Sequence, residues 1–176
     1  MITTSENLKD AAIHNAILDF SKKINLFTKD VAFYVNFEDS VFYEATLVRV
    51  YEKNYTHEWK RGELYDGIAS VEIMGVLGSK LYYSEESKGR LPSRYVIKKG
   101  KLFYWYDDNY PVTDEMIAVL WKYDLLEEDY VISIESMSES KKSAHYYFCK
   151  NNMSKYKKIK PKYGLGFYNP PKVKCK

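Results

Sequence analysis

Apolar residues near the N-terminus recur at spacings of three, four and seven, which places them on one face of an α-helix. This face consists of Leu8, Ala11, Ala12, Ile13, Ala16, Ile17, Phe20 and Ile24. Ser5 can cap the first turn through its hydroxyl. The pattern predicts an amphipathic helix over residues 5–26, and the sequence FTKD then interrupts it.

From Val31 onward apolar and polar positions alternate, which is the period of a β-strand. DVAFYVNF and SVFYEATLVRVYE are rich in β-branched and aromatic residues, and the polar EDS between them predicts a hairpin. After a long polar connection, IASVEIMGVLG predicts a third strand, in which Gly75 and Gly78 indicate a bulge or bend. KLYYSEE predicts a fourth strand.

A second group of elements begins at Arg94, where RYVI and LFYWYDD flank KKGK, a short hairpin turn. NYPVTDEM predicts a helix start, with Thr113 as the cap and two acids at the positive end of the helix dipole. DYVISIESM and SAHYYFCK predict another hairpin across SESKK. Residues 94–150 therefore predict a β-β-α-β-β unit, and no regular element is expected from PKYGLGFYNPPKVK beyond it.

The sequence VAFYVNFEDSVFYEATLVRV, within residues 31–50, resembles the opening hairpin of Tudor-like and related SH3-like small barrels. In that family an aromatic strand, an acidic turn and an FY-x-A-x-V strand follow in this order. The resemblance implies that Tyr34, Phe37, Phe42 and Tyr43 lie near a ligand-binding rim. IASVEIMG lacks the aromatic-Asp-Tyr-Gly run expected next, so the resemblance implies a docking barrel for nucleic acid or protein, and not a methyl-lysine reader.

We expect an α+β protein built from three consecutive segments. Residues 1–90 would hold the N-terminal helix and a small antiparallel, SH3-like barrel or curled sheet. Residues 91–150 would hold the β-β-α-β-β subdomain, and residues 151–176 would form a basic, loop-rich arm.

Charge is distributed unevenly along the chain. Residues 141–176 contain eleven lysines and no Asp, Glu or Arg. The whole chain has 27 basic and 24 acidic residues, so residues 1–140 hold 16 basic and 24 acidic ones, a net charge of −8 against +11. Such an arm is typical of binding to a polyanion or to the acidic face of its own body. Lys and Tyr have A/T-rich codons, so a viral or A/T-rich bacterial source accounts for part of their excess.

Aromatic residues, beginning with Tyr146, Tyr147 and Phe148, alternate with the lysines of this segment. Lysines neutralise phosphates without reading sequence, and aromatic rings stack on exposed bases. Because the segment has no Arg, we expect little base-edge recognition. The predicted nucleic-acid-binding residues are Lys150, Lys155, Lys157, Lys158, Lys160, Lys162, Tyr156, Tyr163 and Tyr168.

No catalytic or metal-binding motif accompanies this pattern. The titratable candidates are His14, His57 and His145 and the acid pairs Asp107–Asp108 and Glu127–Asp129. The histidines lack metal-ligand spacing, and adjacent acids at strand or helix ends are usually solvated. We therefore expect no enzymatic activity, no cofactor and no metal.

Two cysteines, Cys149 and Cys175, are too few for a disulfide scaffold, so free thiols in a reducing cytosol are expected. No apolar run approaches 18 residues, which predicts a cytoplasmic protein with no membrane partner. The predicted function is that of a non-enzymatic, largely sequence-non-specific nucleic-acid-binding accessory or regulatory protein. The alternative is a protein-binding inhibitor or immunity-type module with an acidic body, and an uncharacterised enzyme comes third. A solvated tail is the remaining explanation of the arm.

Overall fold

The computed structural model describes residues 5–43, 46–47, 50–51, 54–55, 58–59, 63–65, 67–78, 80–128, 143–159 and 175. Over these residues it contains helices α1 (Ser5–Lys22) and α2 (Asp114–Lys122) and a 3-10 turn at Lys88–Arg90. The strands are β1 (Ala32–Glu38), β2 (Val41–Tyr43), β3 (Thr46–Leu47), β4 (Val50–Tyr51), β5 (Asn54–Tyr55), β6 (Glu58–Trp59), β7 (Glu63–Tyr65), β8 (Ile68–Val76), β9 (Leu81–Tyr82), β10 (Arg94–Lys98), β11 (Lys101–Trp105), β12 (Leu126–Glu127), β13 (Ser143–Cys149) and β14 (Asn152–Ile159). The predicted α+β class, with an N-terminal helix followed by strands, is confirmed.

The chain forms two compact units, each assembled from separated stretches. The first unit comprises residues 1–15, 37–71 and 145–176, and the second comprises residues 16–36 and 72–144. Both α1 and β8 begin in the first unit and end in the second. The units therefore interleave along the chain, whereas the sequence predicts consecutive segments.

In the second unit the strand order is β10-β11-β1-β8. β10 and β11 form the predicted antiparallel hairpin, from the pair Arg94↔Trp105 to the pair Lys98↔Lys101. Its two-residue turn has positive φ at Lys99 (51°) and at Gly100 (74°), the combination that matches the twist of the flanking strands. β1 lies parallel to β11 on the other side.

Helix α2 covers one side of this sheet. The Thr113 hydroxyl accepts a hydrogen bond from the Met116 backbone N–H at 3.2 Å, which confirms the predicted cap. Met116 and Leu120 are buried in a core cluster that also contains Ala32, Leu91, Leu102, Tyr104, Leu125 and Leu126. The short β12 pairs parallel with β9 beside it.

Helix α1 ends at Lys22, four residues before the predicted end. The Asn25 side chain accepts a hydrogen bond from the Phe27 N–H at 2.9 Å, and the Asn25 carbonyl accepts one from Thr28 at 3.1 Å. This side-chain turn competes with helical hydrogen bonding and ends the helix. Ile24 remains buried beyond the last helical turn.

Two strand predictions are wrong. β1 does not pair with β2 across EDS, because β1 belongs to the sheet of β11 while β2 pairs antiparallel with β7. β3 pairs with β6 and β4 with β5, so the region expected to be a polar connection contains three short strands, β5, β6 and β7, each paired antiparallel with an earlier strand. These pairings do not confirm an SH3-like barrel. The predicted strand DYVISIESM, residues 129–137, lies outside the described residues.

In the first unit the strand order is β8-β13-β14. β13 confirms the strand predicted from SAHYYFCK. β14 is a correction, because these residues were expected to belong to a loop-rich arm and instead pair antiparallel with β13, with a register shift next to Cys149.

Candidate nucleic-acid interface

The lysines of β14 lie on an edge strand. β14 is last in the strand order, and β13 is its neighbour among the described residues. Tyr156 pairs with Phe148 and Lys158 with Tyr146, so these four side chains share one face of the two strands. Lys157, which pairs with Tyr147, points to the opposite face. Positive charge is therefore presented on both faces of the edge.

On the first face the aromatic rings form a continuous ladder. The ring centroid of Tyr156 lies 5.2 Å from that of Phe148 and 5.7 Å from that of Tyr146. Phe148 and Tyr146 are fully buried, whereas Tyr156 is 38% exposed. Lys158 Nζ lies 5.3 Å from the centroid of the Tyr146 ring, within cation–π range. Tyr156 is thus the ring of this ladder that a base can reach, and its two neighbours form the support beneath it.

The opposite face carries a small core and a neutral histidine. Tyr147 is buried with Ile68 and packs against the partly buried Ile159 and Cys175. The His145 ring stacks on Tyr147 at 4.4 Å, and its Nδ1 lies 3.3 Å from the Tyr147 hydroxyl. Burial lowers the pKa of His145 to about 4. The imidazole is therefore uncharged near pH 7 and adds nothing to the positive charge of the edge.

Lys155 and Lys157 are exposed, and Lys158 is half-buried. The segment 143–159 contains these three lysines and Lys150, and no acidic residue. The lysines of β14 form a line of positive charge along one strand. Such a line can attract the phosphates of a nucleic acid without recognising its sequence. Lysines on an edge strand also discourage its pairing with another chain.

Lys150 differs from the other three. Its ammonium group lies 3.4 Å from Asp39 Oδ1 and donates a hydrogen bond to Ser40 Oγ at 3.2 Å. Its backbone N–H donates to the Gly67 carbonyl at 3.0 Å. Lys150 therefore fixes the turn between β13 and β14 to the body of the first unit, and its charge is shared with a carboxylate.

Cys149 and Cys175 form a disulfide, which corrects the expectation of free thiols. The bond links residues 26 positions apart with a Cα–Cα distance of 5.5 Å. The Asn151 side-chain amide also donates to the Cys175 carbonyl at 3.1 Å. The bond therefore joins the two ends of residues 149–175, which include most of the lysines of the basic segment 141–176. Four of its predicted contact residues lie outside the described residues, namely Lys160, Lys162, Tyr163 and Tyr168.

A second charged cluster lies in the second unit, and the sequence-based reasoning did not identify it. The Arg94 guanidinium lies 4.2 Å from the Tyr110 ring centroid and 5.4 Å from that of Trp105. Arg94 also pairs with the buried Asp107 at 3.8 Å. Arg94 is opposite Trp105 in the hairpin. The KKGK turn fixes the register of the two strands, so the sequence could have predicted the contact between Arg94 and Trp105. Arg94 is half-buried and its partner Asp107 is buried, which indicates that this cluster has a structural role.

Of the remaining titratable candidates, His57 and Asp129 lie outside the described residues. Asp107 is buried and accepts a hydrogen bond from the Asn109 N–H at 3.1 Å, whereas Asp108 and His14 are exposed. Within the part of the chain that the structure describes, no group of three or more His, Cys, Asp or Glu residues could hold a metal ion. A search of the same residues for a helix both long and apolar enough to span a membrane finds none.

Comparison of the chain with protein families, with curated proteins and with solved structures finds no match. The functional argument therefore depends on the geometry of the molecule itself.

Proposed function

We propose that this chain is a non-enzymatic nucleic-acid-binding protein of accessory or regulatory type, with β14 as the described part of its binding surface. The observation that carries the proposal is the combination of exposed Lys155 and Lys157, half-buried Lys158 and partly exposed Tyr156 on one acid-free edge strand. Lysines hold phosphates through a sequence-independent attraction, and a supported aromatic ring stacks on an unpaired base. The preferred ligand is therefore single-stranded and of mixed sequence.

The predicted residues beyond β14 extend the same proposal. Lys160 and Lys162 would continue the phosphate contacts, and Tyr163 and Tyr168 would supply further stacking rings.

One observation favours a second candidate, the protein-binding module with an acidic body. Lys150 pairs with Asp39, so at least one arm lysine is already engaged by an acid of the same unit. An arm that serves mainly to fold onto its own body would place further lysines in such pairs. In that case the acidic surface would be the functional one, and its partner would be a basic protein.

The test replaces the three β14 lysines with glutamine and measures binding to mixed-sequence single-stranded DNA and RNA by fluorescence anisotropy. Lys155→Gln/Lys157→Gln/Lys158→Gln should weaken binding at low salt by more than tenfold, because about three phosphate contacts are lost. A charge-matched control, Lys80→Gln/Lys88→Gln/Lys122→Gln, alters exposed lysines of the second unit and should bind as the parent does. Absence of binding by the parent protein, or equal loss in both variants, would move the second candidate ahead.

A cytoplasmic location is part of the same proposal, and the disulfide offers the means to test it. Disulfides persist in oxidising compartments and are uncommon in the cytosol. When cells are lysed in an alkylating agent and the protein is analysed by mass spectrometry, Cys149 and Cys175 should both carry the alkyl group if the protein works in a reducing cytosol. Complete protection of both from alkylation would place it in an oxidising compartment instead.

A further inference from the structure

The loop after α1 and the turn between β10 and β11 lie at the same end of the second unit. The Lys101 ammonium group donates a hydrogen bond to the Thr28 carbonyl at 2.9 Å, and the Leu102 N–H donates to the Val31 carbonyl at 3.0 Å. β1 and β11 run parallel from this end, so the segments that precede them are neighbours. Residues 22–31 and 97–101 together form what we call the tip.

The tip exposes an unusual amount of apolar surface. Phe27 is 92% exposed and Leu26 is 63% exposed, and Val31 and Ile97 are 46% and 43% exposed. The Phe27 N–H donates to Asn25 Oδ1, which holds the loop in a turn at Leu26 and Phe27. Exposed apolar side chains grouped in this way, in contrast to single ones, indicate a binding surface.

The same tip is strongly basic. Five exposed lysines belong to it: Lys22, Lys23, Lys29, Lys98 and Lys99. Lys101 and Asp30, the other charged residues of the two segments, are buried. Six lysines against one aspartate give the tip a formal charge of +5. The nearby Tyr123 hydroxyl reaches the Gly100 carbonyl at 3.5 Å, and Asp124 beside it is paired with Lys80 at 3.3 Å.

We propose that the tip docks on the surface of an anionic lipid bilayer, with Leu26 and Phe27 inserted at the headgroup boundary and the lysines among the headgroups. Neither a short apolar insertion nor a basic patch alone anchors a protein stably, but the two together do. Three of the four apolar side chains are aliphatic, which suits acyl chains and does not suit stacking on bases. Phe27 projects almost free of protein contacts and so lines no groove that a protein side chain could fill.

This proposal departs from the expectation of no membrane partner. That expectation rests on the lack of a long apolar run, which is a requirement for a spanning helix. A loop that inserts a few side chains at the interface needs no such run.

The test is co-sedimentation of the full chain with vesicles of phosphatidylcholine, with and without phosphatidylserine. We expect binding to the vesicles that contain phosphatidylserine and its loss on raising the salt. Leu26→Ser/Phe27→Ser should weaken the partition coefficient at least about tenfold, and Lys22→Gln/Lys99→Gln by about fivefold for each lysine. Tyr110→Ser is the matched control, since this partly exposed ring follows the opposite end of β11 and should leave binding unchanged.

Circular dichroism and thermal melting of each variant separate a lost contact from a lost fold, and the high exposure of Leu26 and Phe27 predicts unchanged melting. Equal binding to the two kinds of vesicle, no binding by the parent at low salt, or full binding by Leu26→Ser/Phe27→Ser would overturn the proposal. If the parent does not bind vesicles and the Leu26→Ser/Phe27→Ser variant loses nucleic-acid binding, the tip belongs to the nucleic-acid interface. That result would equally overturn the proposal. The Lys155→Gln/Lys157→Gln/Lys158→Gln variant should keep its vesicle binding, so the two proposals fail independently.

Discussion

At the scale of single residues, lysines that look equivalent in the sequence have different surroundings in the fold. Lys150 is half-buried and paired with Asp39, and Lys155 and Lys157 are exposed on an edge strand. The aromatic residues divide in the same way, because Tyr147 is buried in a core cluster while Tyr156 is partly exposed. A periodicity of two alone could not decide which side of the strand faced the core, since both sides carry aromatic residues.

Tyr156→Leu tests the stacking contact. Leucine keeps the apolar contact with Phe148 but has no ring to stack on a base. We expect the affinity for single-stranded DNA to fall by about 1–3 kcal/mol, with the salt dependence unchanged because no charge is removed. Anisotropy titrations at two salt concentrations measure both quantities. A changed salt dependence with unchanged affinity would be incompatible with stacking by Tyr156.

His145 makes the stability of the fold sensitive to acid. Its pKa is about 4 in the folded protein and about 6.5 in an unfolded chain, so the unfolded state binds the proton more strongly. The contribution of the neutral His145 to the free energy of unfolding is therefore complete above pH 6.5. It is lost progressively as the pH falls toward 4, by at most about 3 kcal/mol. Urea unfolding at pH 7 and pH 4.5 should show a smaller acid loss for His145→Gln than for the parent. His14→Gln, at an exposed helix position, is the control, and equal acid losses in all three proteins would refute the assignment.

At the scale of elements, the sequence predicted the features that depend on neighbouring residues, namely a turn and a helix cap. The KKGK turn has positive φ at two successive positions, and Thr113 caps α2, because each depends on a few neighbouring residues. The EDS turn also carries local signals, but the neighbours of β1 in the sheet are β8 and β11, and β11 lies about 70 positions away and pairs in parallel. No local pattern specifies such a partner. β14 was missed because NMSKYKKI is poor in β-branched residues, as edge strands often are.

Ile17→Ala tests the packing of α1. All residues of the predicted apolar face except Ala11 are buried, and Ile17 is 1% exposed. In the second unit Phe20 of this helix contacts Phe33 of β1, with ring centroids 5.1 Å apart. Truncating Ile17 should cost about 2–5 kcal/mol of unfolding free energy, measured by urea denaturation. Leu18→Ala, at a 52% exposed position of the same helix, should cost little. Equal small effects from both would show that α1 lies off the core.

At the scale of the whole molecule, the sequence separates an acidic body from a basic C-terminal segment. The fold shows that part of this basic segment belongs to the sheet. The basic segment contains a sheet strand and is closed by the Cys149–Cys175 bond, so it is part of the folded protein. Deleting residues 151–176 would consequently remove β14 and break the disulfide together with the lysines. Point substitutions on β14 separate charge from fold, which a deletion cannot do.

The central claim is that β14 binds nucleic acid through its lysines, and the salt dependence of binding tests it most directly. Affinity for mixed-sequence single-stranded DNA should fall linearly on a plot of log K against log salt concentration. Lys155→Gln/Lys157→Gln/Lys158→Gln should reduce the magnitude of the slope by about 2, since each phosphate contact on a single strand contributes about 0.7. Identical slopes for this variant and the parent would contradict the account.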